Sequence, residues 1–467
     1  MAKSQKNARN SSRKINKIGV TSDVLTSRGG LAIFSQYLDS TNIIAQLANL
    51  FGCIRKSSKG LSVDIIFKQI LCFFMDKTSR SLTYFDNLKM DEGYAASLEL
   101  TQEEMLSSHS VKRFLKAFSL PMAWMFRNVL KYLFLWRLQL EKPDVICLGL
   151  DSMVMDNDEA KRRAGVQPTY KNKMGFQPLQ MTWHRFIVDA LFRGGKKHCN
   201  AGNSAANMIK RMVKWIRKNY RSDVPVVVLM DSGFMDEKLF EALEKMDIGY
   251  ICNGKRYDDI LRYVEEVEDE HWNQYSKGKE SWHYFEYEDQ RDCWTKSRRA
   301  IITRYTPDDL QQTFEAFRPL SILYTNLGKG EAVDGFLKNA GRQDLWESEA
   351  IVKSSHGRGR DELVHRAFKD FGFEELPFKN FAPNAAFYYM MVLGHFLYEC
   401  FKEDVCGDSV PVTSYASTLR RKVIDIAAKI VRSGGSIWIK FTQRVWNTLQ
   451  IDQLWERCKN PPPLPTW

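Results

Sequence analysis

From residue 28 to about residue 140, apolar positions recur at helical spacing. Ser62 precedes a run that puts Ile66, Ile70 and Phe73 or Phe74 on one face. Ser108 precedes another, with Val111, Phe114, Leu115 and Phe118 inward and Lys112, Arg113 and Lys116 outward. Either serine suits a helix N-cap. Residues 121–139 form a third amphipathic run carrying Arg127, Lys131 and Arg137, so the region predicts a small helical domain with basic outer faces. No recognition helix can be singled out in it.

At Val145 the period changes. Val145–Leu150 is apolar almost throughout and is bounded by Pro143 and Asp151, the pattern of a strand buried on both faces. Residues 176–182 and 185–192 predict two more strands, and 203–218 a helix with Met208, Met212 and Ile216 inward. Val224–Met230 predicts a second buried strand ending at Asp231, followed by a helix at 236–246 and a strand at 248–252. Strands first, then alternating helix and strand, indicate an α/β domain with a mixed sheet. Residues 255–350 mix acidic and aromatic stretches with β-like runs such as Arg299–Tyr305 and Leu320–Thr325, which reads as an inserted, mostly β subdomain.

Helical patterning resumes in Arg358–Lys369, RGRDELVHRAFK. At 3.6 residues per turn Glu362, Arg366 and Lys369 share a face, His365 lies beside them, and Asp361 points about 100° away. Asn384–Glu399 predicts a further helix. The expected organisation is a basic arm (1–27), a helical DNA-binding or dimerisation region (28–140), a core in two parts (141–254 and 351–405) around the insertion (255–350), and a basic C-terminal module with a proline-rich tail (406–467).

Composition narrows the function class. The 467 residues are enough for two or three domains with real cores, and 44% apolar content argues for a folded protein. A net charge of +12 favours a polyanionic partner, because basic surface releases counterions when it meets nucleic acid. Residues 1–20 carry Lys3, Lys6, Arg9, Arg13, Lys14 and Lys17 with no acid, as a solvated tail or a strap along DNA phosphates would. Nine scattered cysteines without a CxxC pair indicate neither a zinc ribbon nor a disulfide framework, and suit a reducing compartment. The N-terminus lacks an apolar signal core, and the longest apolar stretch, Phe387–Phe401, is interrupted by Gly394, His395 and Glu399. Such a stretch is a buried helix rather than a membrane span. The expected setting is the cytoplasm, with no membrane partner and no small-molecule cofactor.

The candidate chemistry lies in three acids. LGLDSM and VVVLMDSGF each end a buried strand in aspartate and serine, and Glu362 sits among bases on its helix. Any one alone has an ordinary reading, since aspartate commonly opens a turn and glutamate commonly decorates a helix. Asp156 and Asp158 lie in a polar turn beyond the first strand, whereas Asp151 terminates it. Together, Asp151, Asp231 and Glu362 are candidates to hold divalent ions for phosphodiester chemistry, which needs an activated nucleophile and a stabilised leaving oxygen.

These motifs resemble the DDE transposases of bacterial insertion sequences, the group 1 DDE domain with piggyBac-like affinities, whose core is ribonuclease H-like. The resemblance is to the subgroup with a β-rich insertion before the glutamate and the signature Tyr-x2-Arg-x3-Glu-x6-Lys. Arg358, Glu362 and Lys369 keep that spacing, while the tyrosine position is Ser355, a departure. YKNKMGFQPL (Tyr170–Leu179) and HCNAGNSA (His198–Ala205) resemble intervening segments of the family. The resemblance implies an α/β, ribonuclease H-like mixed-sheet core and an enzyme that cuts and joins DNA in cut-and-paste transposition. It implies two Mg²⁺ ions, with Mn²⁺ substituting, on Asp151, Asp231 and Glu362. DNA would be held by Arg358, Lys369, Arg366, His365, Lys173 and Asn203, with Asn172 beside them. A tryptophan of the insertion, Trp272, Trp282 or Trp294, would stack on a flipped base at a hairpin end; each also suits the aromatic core of a β subdomain. The partners implied are the element's terminal inverted repeats and target DNA, with a homodimer assembled on them, and association with the nucleoid is implied by the resemblance alone. Two alternatives use the same fold: a metal-dependent nuclease or resolvase without strand transfer, and an inactive DNA-binding derivative.

Overall fold

The structure is a computed structural model that describes residues 15, 17–55, 59–277, 280–306, 320–357 and 359–466, with the backbone course alone at 277, 280, 305–306, 357 and 359–362. A short strand, β1 (Val24–Thr26), leads into helices Leu31–Ser40, Ile43–Phe51, Val63–Asp76, Ser108–Lys116 and Phe126–Glu141. Ser62 is the N-cap residue expected, and Ile66, Ile70, Phe73 and Phe74 are buried beneath it. The next helix is capped one residue earlier than predicted: Ser107 Oγ accepts from Ser110 N, and Ser108 instead bonds Asp86. Phenylalanines at 51, 67, 114, 118 and 126 make the centre of this region, with Phe51 stacked on Phe126 at 4.4 Å.

The expected outward bases at 127 and 137 are not outward. Arg127 and Arg137 are 6% and 5% exposed. Arg127 forms a two-pronged pair with Asp189, through Nε at 2.7 Å and Nη2 at 2.6 Å, and Arg137 meets Asp404 and Glu403. Periodicity reports which face of a helix packs inward, but a guanidinium can lie on that face when a carboxylate waits there.

The core strands follow in order: β2 (Ile146–Ser152), β3 (Met155–Asp156), β4 (Gln167–Pro168), β5 (Met174–Phe176), β6 (Leu179–Trp183), β7 (Phe186–Leu191), β8 (Val226–Met230) and β9 (Gly249–Asn253). Segment 255–350 adds β10 (Asn273–Lys277), β11 (Glu280–Asp289), β12 (Arg298–Thr306) and β13 (Leu320–Thr325). The C-terminal module adds β14 (Ala428–Ser433) and β15 (Ser436–Lys440), which form a small sheet with β1.

The main sheet runs β10-β11-β12-β13-β9-β8-β2-β6-β7. Its centre, β2, β8 and β9, is parallel, and β6 and β7 add antiparallel neighbours on one side. That is the mixed-sheet α/β core expected. The strands of segment 255–350 continue this sheet, because β13 pairs antiparallel with β9 and thereby covers what would be an open edge. Helix Phe381–Phe401 is buried from Pro383 onward, as a helix apolar on all sides must be. Among the described residues no helix is long and apolar enough to cross a membrane.

Candidate active site

Strands β2 and β8 are parallel neighbours with Leu150 opposite Met230. The next residue of each is an aspartate, so Asp151 and Asp231 leave the same end of the sheet on strands roughly 4.8 Å apart. Val226–Met230 is a strand of β-branched and aliphatic residues buried on both faces but for the half-buried Leu229. Ile146–Leu150 buries Ile146, Leu148 and Leu150 on one face and, contrary to the sequence expectation, leaves Cys147 exposed on the other. The chain turns to polar residues only where it emerges from the layers. Asp151 Oδ1 accepts the Ser152 amide at 2.6 Å, and Asp231 Oδ1 accepts the Ser232 amide at 2.7 Å. These bonds orient both carboxylates. Asp231 is exposed and the Asp151 side chain is 29% exposed.

Glu362 belongs to helix Gly359–Phe371, and its side chain lies outside the described residues, as does the whole of Arg358. One turn further along, His365 is 8% exposed with Nδ1 3.6 Å from Asp151 Oδ2. The helix is therefore packed against the end of β2, with Glu362 one turn from that contact. The preceding helix, Ser348–Gly357, reaches the end of β9, where Ser355 Oγ lies 3.4 Å from Asn253 Oδ1. Ser355, at the departed tyrosine position, is thus engaged with the sheet.

The remaining predicted residues divide. Arg366 is exposed, and Lys369 pairs with Glu374 at 2.7 Å. Lys369 and Lys173 line one hollow of about 680 Å³ with Lys77, Arg80 and several acids. In it Lys173 bridges Asp156 and Asp158 at 3.2 and 3.0 Å, and those carboxylates raise its pKa. Asn172 and Asn203 both adopt left-handed backbone, φ +55° and +54°, the latter as N-cap of helix Ser204–Asn219.

Three neighbours of the aspartates were not singled out from sequence. Arg193, 6% exposed, donates to Gln177 O, His198 O, Cys199 O, Ser204 Oγ and Ser152 Oγ at 3.0–3.2 Å, tying the HCNAGNSA segment to the residue after Asp151. Burial lowers its pKa to about 10. Burial pushes the Cys199 thiol up, and Gly233 makes room for it: a Cβ there would lie 2.8 Å from Cys199 Sγ. Burial, together with the charges of Asp151, Cys199 and Asp231, pushes the Tyr170 phenol up to about 12. The sequence signal for Arg193 was its place in FRGG, directly after a buried strand; spacing offered nothing for the other two.

The tryptophans also separate. Trp272 packs edge-on against Phe285 at 4.6 Å under the Arg304 guanidinium, and Trp294 packs on Tyr324 at 5.1 Å. Both are core. Trp282 is half-buried and stacks on Tyr275 at 4.9 Å and on His356 at 4.8 Å, while Tyr275 OH and His356 Nδ1 are 2.7 Å apart. Burial lowers His356 to about 4 from 6.5. The folded protein therefore prefers the neutral ring, and this contribution to stability is present above pH 6.5 and lost as pH falls toward 4. We expect tryptophan emission and the thermal midpoint to fall together across that window. In His356→Phe protein that component should be missing; an unchanged profile would contradict the assignment.

Oxygen donors at two adjacent, solvent-reachable strand ends suit a hard divalent cation. A different cluster, Glu268, Glu270 and His271, has ligand atoms within 4.8 Å of one another, but it is exposed in segment 255–350 and far in sequence from the strand-end aspartates.

The family model described as transposase DDE domain group 1 matches residues 9–461. No curated protein matches significantly. Among solved structures, the piggyBac transposase synaptic complex with hairpin DNA is similar over 84% of this chain and 78% of that one, at 12% identity and a TM-score of 0.38.

Proposed function

Because the chain belongs to the transposase DDE domain group 1 family, we propose that it is the transposase of an insertion sequence. In this reading it binds the element's terminal inverted repeats as a homodimer on DNA and moves the element by cut-and-paste chemistry. The observation that carries the proposal is the pairing of Asp151 and Asp231 at the ends of parallel β2 and β8, with His365, from the helix of Glu362, against Asp151.

Asp151, Asp231 and Glu362 would hold Mg²⁺ or Mn²⁺, two ions per site. When bound, such cations supply Lewis-acid stabilisation to the attacking and leaving oxygens. The protein's own part is orientation. The Ser152 and Ser232 amides fix the aspartates, Arg193 fixes the segment behind Asp151, and His365 sets the distance between helix and strand. Arg358, Arg366 and Lys369 would hold the phosphates flanking the scissile bond, Lys369 exchanging Glu374 for DNA. Lys173 and Asn203 would line the path of the duplex. Trp282, the half-exposed tryptophan of the three, is the one we assign to an unstacked base.

In the first step water attacks the phosphorus, the P–O3′ bond breaks and a 3′-hydroxyl is released. In the second, that hydroxyl attacks a target phosphodiester and displaces its 3′-oxygen. The deciding experiment mixes purified protein, Mg²⁺ and labelled DNA carrying the ends of its own element. Nicking followed by joining is the expected result. Nicking without joining would make the protein a nuclease or resolvase, and binding alone would make it an inactive derivative.

A further inference from the structure

The helix that carries Glu362 ends at Phe371, and its last carbonyls are held by two residues from distant parts of the chain. Lys77, the left-handed C-cap of helix Val63–Asp76 (φ +48°), donates Nζ to Lys369 O at 3.2 Å and to Asp370 O at 2.6 Å. Arg420, from the C-terminal module and 6% exposed, donates Nη1 to Asp370 O at 3.1 Å and Nη2 to Phe371 O at 2.8 Å. The same guanidinium reaches Phe74 O at 3.0 Å through Nη2 and Met75 O at 2.6 Å through Nε. Ser417 N adds a bond to Asp370 Oδ2 at 2.8 Å.

Two helix C-termini therefore converge on one buried cation. Terminal carbonyls lack partners inside their own helices, and the dipole places negative charge there, so an arginine with a planar set of donors suits the junction. The ring of Phe371 lies 5.4 Å below the guanidinium, which excludes water from it. Glu362 stands two turns upstream, so a small tilt at this clamped end is carried along a rigid rod to the glutamate.

We propose that Arg420 and Lys77 are positioning residues of the metal site, clamping the glutamate helix at the one depth and tilt that bring Glu362 to Asp151 and Asp231. The inference rests on the assignment of Glu362 to that site. Neither residue touches the reacting groups.

The test is Mn²⁺ binding to the full-length protein, followed by the electron paramagnetic resonance signal of the free ion, alongside cleavage of end DNA. Arg420→Lys should weaken Mn²⁺ binding about tenfold, with end-DNA affinity within about twofold of the parent, and Lys77→Met should weaken Mn²⁺ binding several-fold. Cleavage should recover when Mn²⁺ is raised. A merely structural role would lower the melting temperature and the folded fraction but leave the Mn²⁺ affinity of the folded protein unchanged, and that result overturns the proposal. Should Arg420→Lys fail to fold, the partly exposed Lys77→Met decides the matter alone. Asp231→Ala, run in parallel, separates the two ideas: unchanged Mn²⁺ binding there would reject the site itself, whereas loss there with no change in the clamp variants would reject only the clamp.

Discussion

Asp231→Ala is expected to reduce metal-dependent strand cleavage by about a thousandfold or more, equivalent to roughly 4 kcal/mol of transition-state stabilisation. The fold should hardly register the change. Asp231 is exposed, begins a single 3₁₀ turn (Ser232–Phe234) and accepts its neighbour's amide, a cap whose loss costs about 1 kcal/mol. Cleavage measured on end DNA, with circular dichroism melting and DNA affinity as controls, separates the two quantities. Cleavage within about tenfold of the parent would mean that Asp231 is not a ligand. Asp151→Asn should behave similarly, but with a larger stability cost, because Asp151 lies within β2 and faces His365.

The second large effect concerns stability. Asp189→Ala is expected to cost about 3–5 kcal/mol, since it strands the Arg127 guanidinium in the interface between helix Phe126–Glu141 and β7. The pair's side chains are 8% and 3% exposed, so little water can take the carboxylate's place. Replacing both residues, Arg127→Met with Asp189→Leu, should recover most of the loss, because the charge and its desolvation disappear together. Urea midpoints of the parent, the single variant and the double variant check this. If Asp189→Ala shifts the midpoint no more than a surface substitution does, the pair does not hold the helical region to the sheet.

Much of the core was legible because a short apolar run closed by an aspartate leaves a simple mark. Ile146–Leu150 and Val226–Met230 read as strands since nothing polar can sit inside a central parallel ladder, and the aspartates mark where each emerges. The helix of Glu362 was legible from the spacing of Glu362, Arg366 and Lys369. What periodicity could not register was the partner of a charged group. Arg127, Arg137 and Arg420 look like ordinary basic positions, yet each is buried against carboxylates or carbonyls hundreds of residues away or on another module. His365 read in sequence as a DNA contact beside a charged helix face; only the docking of that helix on β2 brings it to 3.6 Å from Asp151.

Segment 255–350 shows the same division. Its β character was written in aromatic stretches and β-like runs such as Arg299–Tyr305 and Leu320–Thr325, but pairing between β13 and β9 is a long-range choice that no local pattern encodes. Likewise Trp272, Trp282 and Trp294 were equivalent in sequence, and neighbours alone make two of them core and leave one half-exposed. The sequence by itself determined the buried strands, the amphipathic helices and the acids at their ends, because these follow from periods of two and 3.6 residues. The tertiary structure alone decided which strands are neighbours, which charges are buried and what grips the end of the glutamate helix, because those depend on contacts between residues far apart in the chain.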